Sequence, residues 1–372
     1  MKSFVVEGGE VITPLESRFT RLWINDGLIA GLGDTWSNGH SKVEKIDATG
    51  CYVTPGLFDL QVNGSHSCNL WADPEIRDLS QLRQELLSCG VTSFLPTLIT
   101  DELTHLKKNI GFLEMSGAGI IGLVEEKKFP QRTLLSRMPG IHLEGPFLSP
   151  KRKGVHPNQF IQDPSVLIAD QILNKSVLLM TMACERDPEG ILLQTLINKG
   201  IKVSLGHSDA SLDESRLAFD RGVNLITHIF NALPLFHHRM PGVVGAALLD
   251  NRVSCCVIPD GLHVNQEVIR LIHKLKGWEK MLLVTDSAYI GTTSGDLVGS
   301  SITLDQAVRN MVQWGVCDFA EAIRMASFNP AQAMGLQGKI GQLLPGMLAD
   351  VVLWEKKTLT IKAVIINGQL KL

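Results

Sequence analysis

Four short segments of the 372-residue chain stop at side chains that could do metal or proton chemistry. They are Gly140-Ile141-His142-Leu143-Glu144-Gly145-Pro146, Val203-Ser204-Leu205-Gly206-His207-Ser208, Thr227-His228-Ile229-Phe230-Asn231-Ala232 and Leu283-Val284-Thr285-Asp286-Ser287. Glu144, His207 and His228 supply one carboxylate and two imidazoles. That set suits Zn²⁺ or a similar divalent ion, with one coordination position left open for water. Water on such an ion loses its proton far more readily than bulk water, so hydroxide becomes available near neutral pH. Asp286 then reads as the proton carrier, accepting the water proton during attack and returning it to a leaving amine. Each residue has a plainer reading: a lone His after an apolar run is usually a hydrogen-bonded structural residue, and Asp286 alone reads as a helix cap. Four such coincidences at strand ends favour a site.

The elements that would position these groups follow from the pattern between them. Short apolar runs end near Gln61, Thr97, Glu144, Glu185, His207, His228, Asp260 and Asp286, with helical stretches between, which is the βα alternation of a parallel barrel. Eight runs fit a (β/α)8 TIM barrel, whose chemistry sits where strands run out into loops. A capping box at Ser211 and Glu214 predicts a helix with Leu212, Leu217 and Phe219 as its apolar positions and Gly222 closing it. Another helical stretch is expected over 303–315, then 318–328, stopping ahead of Asn329-Pro330. Gly8-Gly9 and Asn25-Asp26-Gly27 separate short apolar runs as hairpins would, and the tail repeats the style around Asn367-Gly368. Both termini are therefore expected to build one small β-sandwich domain (1–53 and 339–372) around a catalytic barrel (54–338).

Bulk composition excludes several classes. A net charge near −3 with 20% charged residues lacks the clustered Lys and Arg that a nucleic-acid partner needs, and the basic triplets near 127 and 151 are too short to supply them. No run of about eighteen apolar residues is present to span a membrane, and no secretory segment opens the chain. Seven cysteines without a CxxC pair read as reduced thiols, so a cytoplasmic location is expected.

Six ordered blocks carry a resemblance: PGLFDLQVNG from Pro55, HLEGPFLSPKRKGVHP from His142, LGHSDA from Leu205, THIFNALPLFHHRMPG from Thr227, PDGLHV from Pro259 and LVTDS from Leu283. Along almost its whole length the chain resembles the N-acetylglucosamine-6-phosphate deacetylases, a branch of the amidohydrolase superfamily. The resemblance implies attack of metal-bound hydroxide on the acetamide of N-acetylglucosamine 6-phosphate, giving glucosamine 6-phosphate and acetate. It implies one divalent ion per subunit on Glu144, His207 and His228, Zn²⁺ first, with Fe²⁺ or Mn²⁺ as alternatives. Gln61-Val62-Asn63 stands where most amidohydrolases carry HxH; amide oxygens compete poorly for Zn²⁺, so Gln61 and Asn63 read as hydrogen-bonding residues at a loop start.

The resemblance further assigns substrate contacts to Val155, His156, Asp260 and His263, with His263 near the scissile group and His156 at the acetamide or sugar. Phosphate contacts fall to Asn231 and to the backbone of Ala232. Arg239 matches an arginine that grips the phosphate, often from the other subunit of a homodimer; its planar donors can pair with two phosphate oxygens. Leu297, Val298 and Gly299 align with the end of a substrate loop. Two departures stand out: Met240 follows Arg239 where the family usually has Glu, and the segment from Ser287 to Val298 is too short for the family's hairpin. Two alternatives stay open, a deacetylase of N-acetylgalactosamine 6-phosphate or another N-acyl amino sugar, and a sugar-phosphate-binding protein that kept the fold without turnover.

Overall fold

In the computed structural model, residues 3–34, 43–72, 76–121, 134–289 and 298–371 are described. Eight parallel strands stand side by side in chain order: Leu57–Val62, Val91–Ile99, Ile141–Glu144, Val177–Met182, Lys202–Leu205, Leu225–Ile226, Ser254–Val257 and Met281–Leu283. Nearly every residue in them is buried, as expected for parallel strands with helices on the outside. The first and eighth strands share no ladder within their own bounds. The ring closes just beyond them, where the Asn63 N–H donates to the Ser287 carbonyl at 2.7 Å. Below that point the buried Asp59 carboxylate accepts the Thr285 N–H at 3.3 Å and the Thr285 hydroxyl at 2.6 Å. This is the TIM barrel that the alternation implies.

The chain ends build two sheets. One runs Leu28–Leu32, Leu22–Asn25, Ser3–Glu7, Glu44–Asp47; the other runs Gln369–Leu370, Ile361–Ile366, Val351–Glu355, Cys51–Pro55, Glu10–Ile12, Ser17–Phe19. Phe4, Leu22 and Ile24 of the first share one apolar core with Val53, Leu353 and Ile365 of the second, so the sheets pack as a sandwich. Asp26-Gly27 and Asn367-Gly368 each join paired strands with positive φ at both positions, the geometry of a tight hairpin turn. At Gly56, between sandwich and barrel, a Cβ would lie 2.0 Å from Thr92 Oγ1, so only glycine lets the chain cross there.

Several local expectations are corrected. Gly8-Gly9 makes no hairpin; it carries the chain from one sheet to the other. The fourth run stops at Met182, and Glu185 sits in a 3₁₀ turn beyond it. The second run continues through Pro96 to Ile99. The capping box at Ser211 forms and Phe219 is buried, but Leu217 is 44% exposed and Leu212 only half-buried, while Ser215 and Ala218 complete the buried face. The helix Phe319–Ala326 breaks at Ser327, and Asn329-Pro330 lies inside a new helix, Phe328–Ala333. Proline is tolerated there because the first turn needs no N–H from it.

Candidate active site

Glu144 is the last residue of the third strand, so its side chain stands at the carboxyl end of the barrel. Its Oε1 faces Gln61 Nε2 at 2.9 Å, His228 Nε2 at 3.0 Å and His207 Nε2 at 3.2 Å, and the two imidazole nitrogens lie 3.2 Å from each other. His207 Nδ1 faces the Arg152 carbonyl at 2.9 Å. A carbonyl only accepts, so the His207 proton sits on Nδ1 and a lone pair on Nε2 points into the cluster. Two imidazole nitrogens aimed at each other and at one carboxylate oxygen leave negative potential at their meeting point, and all three donor atoms lie within 4.8 Å of one another. A divalent cation with one carboxylate and two imidazoles fits that arrangement.

The electrostatics agree. Burial alone would raise the Glu144 carboxyl, yet the His207 and His228 imidazoles that face it hold it well below its usual range. Burial would lower the His228 imidazole, but Glu144 outweighs it and raises the value to about 9. Left to the chain alone, a proton on His228 supplies the positive charge that the cluster requires.

Asp286 faces the same space. Its Oδ1 accepts from Asn63 Nδ2 at 2.7 Å, and burial, followed by the neighbouring Glu144 charge, pushes its carboxyl up to about 7. His207, His228, Phe230, Ala232 and Asp286 all have positive φ, among only eight such non-glycine residues in the described chain. Backbone held in that sparsely populated region concentrates at functional sites, and here it marks the points where strands five, six and eight turn into loops. Gly299 packs against this turn, since a Cβ on it would come within 2.6 Å of the Asp286 carbonyl.

A cavity of about 180 Å³ opens over these groups. His156, fully buried, accepts the Thr100 N–H on Nδ1 at 3.2 Å, so its proton is on Nε2, the atom 3.8 Å from Glu144 Oε2. Burial drives its pKa to about 3 and keeps it neutral. His263 donates from Nδ1 to Asp260 at 2.6 Å, which leaves Nε2 for the cavity. Asp260 also accepts two backbone N–H groups; burial would raise its carboxyl, but these contacts lower it. It orients His263 and does not itself line the cavity.

Val155, Asn231, Ala232 and Gly299 line the cavity. Val298 is half-buried beside it in sequence, and Leu297 lies outside the described residues. Arg239 is exposed, with Nε 3.1 Å from His238 Nε2, and is not part of the cavity wall. Three lining residues escaped the sequence reading, Trp71, Ile99 and Gly154. Nothing in the sequence marks Trp71, and Ile99 lies two residues beyond Thr97, where the apolar run reads as ending. Gln61 and Asn63 hydrogen-bond as expected, but to the two carboxylates of the site.

The amidohydrolase family model matches residues 52–371. An N-acetylglucosamine-6-phosphate deacetylase of Lysinibacillus sphaericus is 30% identical, with 92% of each chain covered. An N-acetylgalactosamine-6-phosphate deacetylase of Escherichia coli O157:H7 is 31% identical over 94% of each chain. The crystal structure of N-acetylglucosamine-6-phosphate deacetylase from Pasteurella multocida superimposes with a TM-score of 0.85 at 27% identity, covering 99% of each chain.

Proposed function

The chain belongs to the amidohydrolase family, and from that premise we propose that it hydrolyses the acetamide of N-acetylglucosamine 6-phosphate to acetate and glucosamine 6-phosphate. The carrying observation is the convergence of Glu144, His207 and His228 on one point, with Asp286 facing the same cavity. Those three residues hold one divalent ion per subunit, Zn²⁺ in the first instance and Fe²⁺ or Mn²⁺ in its place. When bound, such an ion polarises the amide carbonyl and makes water acidic enough to attack at neutral pH.

The chain's own groups do the rest. Gln61 donates to Glu144 and fixes its carboxylate plane. Asn63 occupies one oxygen of Asp286, leaving the other for the attacking water, whose proton Asp286 takes and then delivers to the sugar nitrogen as the C–N bond breaks. His156 and His263 present Nε2 to the acetamide. Asn231 and the Ala232 backbone face the phosphate end of the substrate.

Arg239 grips the phosphate of the neighbouring subunit's substrate in a homodimer. Support for that reading is that Arg239 is exposed and off its own cavity, in a loop whose Leu235 (88%), Phe236 (54%) and Met240 (71%) are unusually exposed apolar groups. No helix among the described residues is long and apolar enough to cross a membrane, and a cytoplasmic location suits a sugar-phosphate substrate.

The test is metal analysis of the purified protein followed by acetate release from both N-acetylhexosamine 6-phosphate epimers. One equivalent of divalent metal and turnover of the glucosamine epimer are expected, with Asp286→Asn retaining metal and losing about 10²–10⁴-fold in kcat. Faster turnover of the galactosamine epimer would move the assignment to that sugar. Binding of either sugar without acetate release would remove the hydrolase reading.

A further inference from the structure

The acyl carbon of the substrate carries an oxygen, the sugar nitrogen and an alkyl group, and the cavity offers each a different wall. The scissile carbon has to sit between the Glu144–His207–His228 cluster and Asp286. Asn231 and Ala232, which face the phosphate end of the sugar, come from the loop after the sixth strand. The opposite arc of the eight-stranded ring carries apolar side chains. Ile99 ends the second strand in register with Glu144 on the third, so it stands directly beside the cluster. Trp71, in the loop after the first strand, bonds to Asn63, which in turn holds Asp286, and both Trp71 and Asp286 line the cavity. The remaining larger apolar group, Val155, lies on the loop after the third strand and is 37% exposed.

Trp71 is fixed in place. Its Nε1–H donates to Asn63 Oδ1 at 3.3 Å, and its backbone N–H donates to Asn69 Oδ1 at 2.9 Å. Indole nitrogen can only donate, so the Asn63 amide must turn its oxygen to Trp71 and its NH₂ to Asp286. Moving the ring therefore disturbs the group that holds Asp286, and the wall resists displacement by a larger substrate.

We infer that Trp71 and Ile99 form the wall that receives the alkyl part of the acyl group, and that they limit the enzyme to short acyl chains. The inference rests on the deacylase reading above and adds its acyl specificity. Each methylene beyond acetyl meets a fixed ring or a strand-borne isoleucine and costs about tenfold or more in kcat/KM.

The experiment compares N-acetyl-, N-propionyl- and N-butyrylglucosamine 6-phosphate in the metal-loaded wild type and in Ile99→Ala, Trp71→Ala and Trp71→Phe. Wild type should fall steeply from acetyl to butyryl. Ile99→Ala and Trp71→Ala should each raise the butyryl-to-acetyl ratio about tenfold. Trp71→Phe keeps an aromatic wall but loses the N–H to Asn63, so it should lower kcat for every chain length and leave the ratio unchanged. Ratios that stay at the wild-type value in Ile99→Ala and Trp71→Ala, with metal content and melting temperature retained, would overturn the inference while leaving the deacylase intact. A wild type that releases no acid from any of the three would overturn the deacylase reading and this inference together.

Discussion

At the residue scale, the metal and the proton compete for the same atom. Without metal, the His228 imidazole is raised from 6.5 to about 9 because Glu144 offsets the cost of its burial. A raised basic group stabilises the folded state fully below its unfolded value near 6.5, and that contribution is lost as pH rises through about 9. Between these limits the folded, metal-free chain carries a proton on His228, and a metal on Nε2 has to expel it. Metal binding at pH 7 should therefore release about one proton, and affinity should climb about tenfold per pH unit before levelling above pH 9. Calorimetry in buffers of different ionisation enthalpy reads the proton directly; binding at pH 7 with none released would refute this coupling. Residue identities were legible in the sequence here because imidazoles and carboxylates after apolar runs are chemically conspicuous. The roles of Gln61 and Asn63 were not, since their partners lie 83 and 223 residues away.

At the scale of elements, the seam between the first and eighth strands fixes Asp286. Where a ladder would run, Asp59 holds Thr285 through its N–H and hydroxyl, and the same hydroxyl accepts the Ser287 N–H at 3.1 Å. Burial pushes the Asp59 carboxyl up to about 6, with the Thr285 hydroxyl the largest opposing influence. Thr285→Val keeps the shape and removes that hydroxyl, leaving a buried carboxylate short of a donor, for about 1.5–3 kcal/mol of stability. An acid raised in the folded state costs stability as pH rises through its folded value, and the variant raises it further, so the deficit should be larger at pH 8 than at pH 5. Urea unfolding at the two pH values checks this; equal deficits would mean that Asp59 does not depend on Thr285. The eight-run alternation was readable because apolar runs and caps are local signals. The seam was not, because Asp59 and Thr285 are 226 residues apart. Strand and helix limits slipped at Ile99, Glu185 and Ser327, where tertiary contacts decide how far a segment continues.

For the molecule as a whole, barrel and sandwich are tied by a buried ion pair. Arg137 runs beside the second barrel strand, its N–H on the Thr92 carbonyl at 2.8 Å and its carbonyl accepting the Phe94 N–H at 2.9 Å. Its guanidinium pairs with both oxygens of Asp350 and with Asn367, which belong to the C-terminal part of the sandwich. Arg137 and Asp350 are only 3% and 5% exposed. The β-sandwich was foreseeable from the turn residues at both ends, but this tie was not, because a single arginine before Met138 reads as a surface charge. Removing one member leaves the other charged, buried and uncompensated, which costs about 3–5 kcal/mol, whereas replacing both with apolar side chains removes the charge and its desolvation together. Arg137→Met and Asp350→Leu should each lose that much stability in denaturant unfolding, and the double variant should lose less than either single one. Additive losses in the double variant would show that each residue acts through separate contacts and not through the pair.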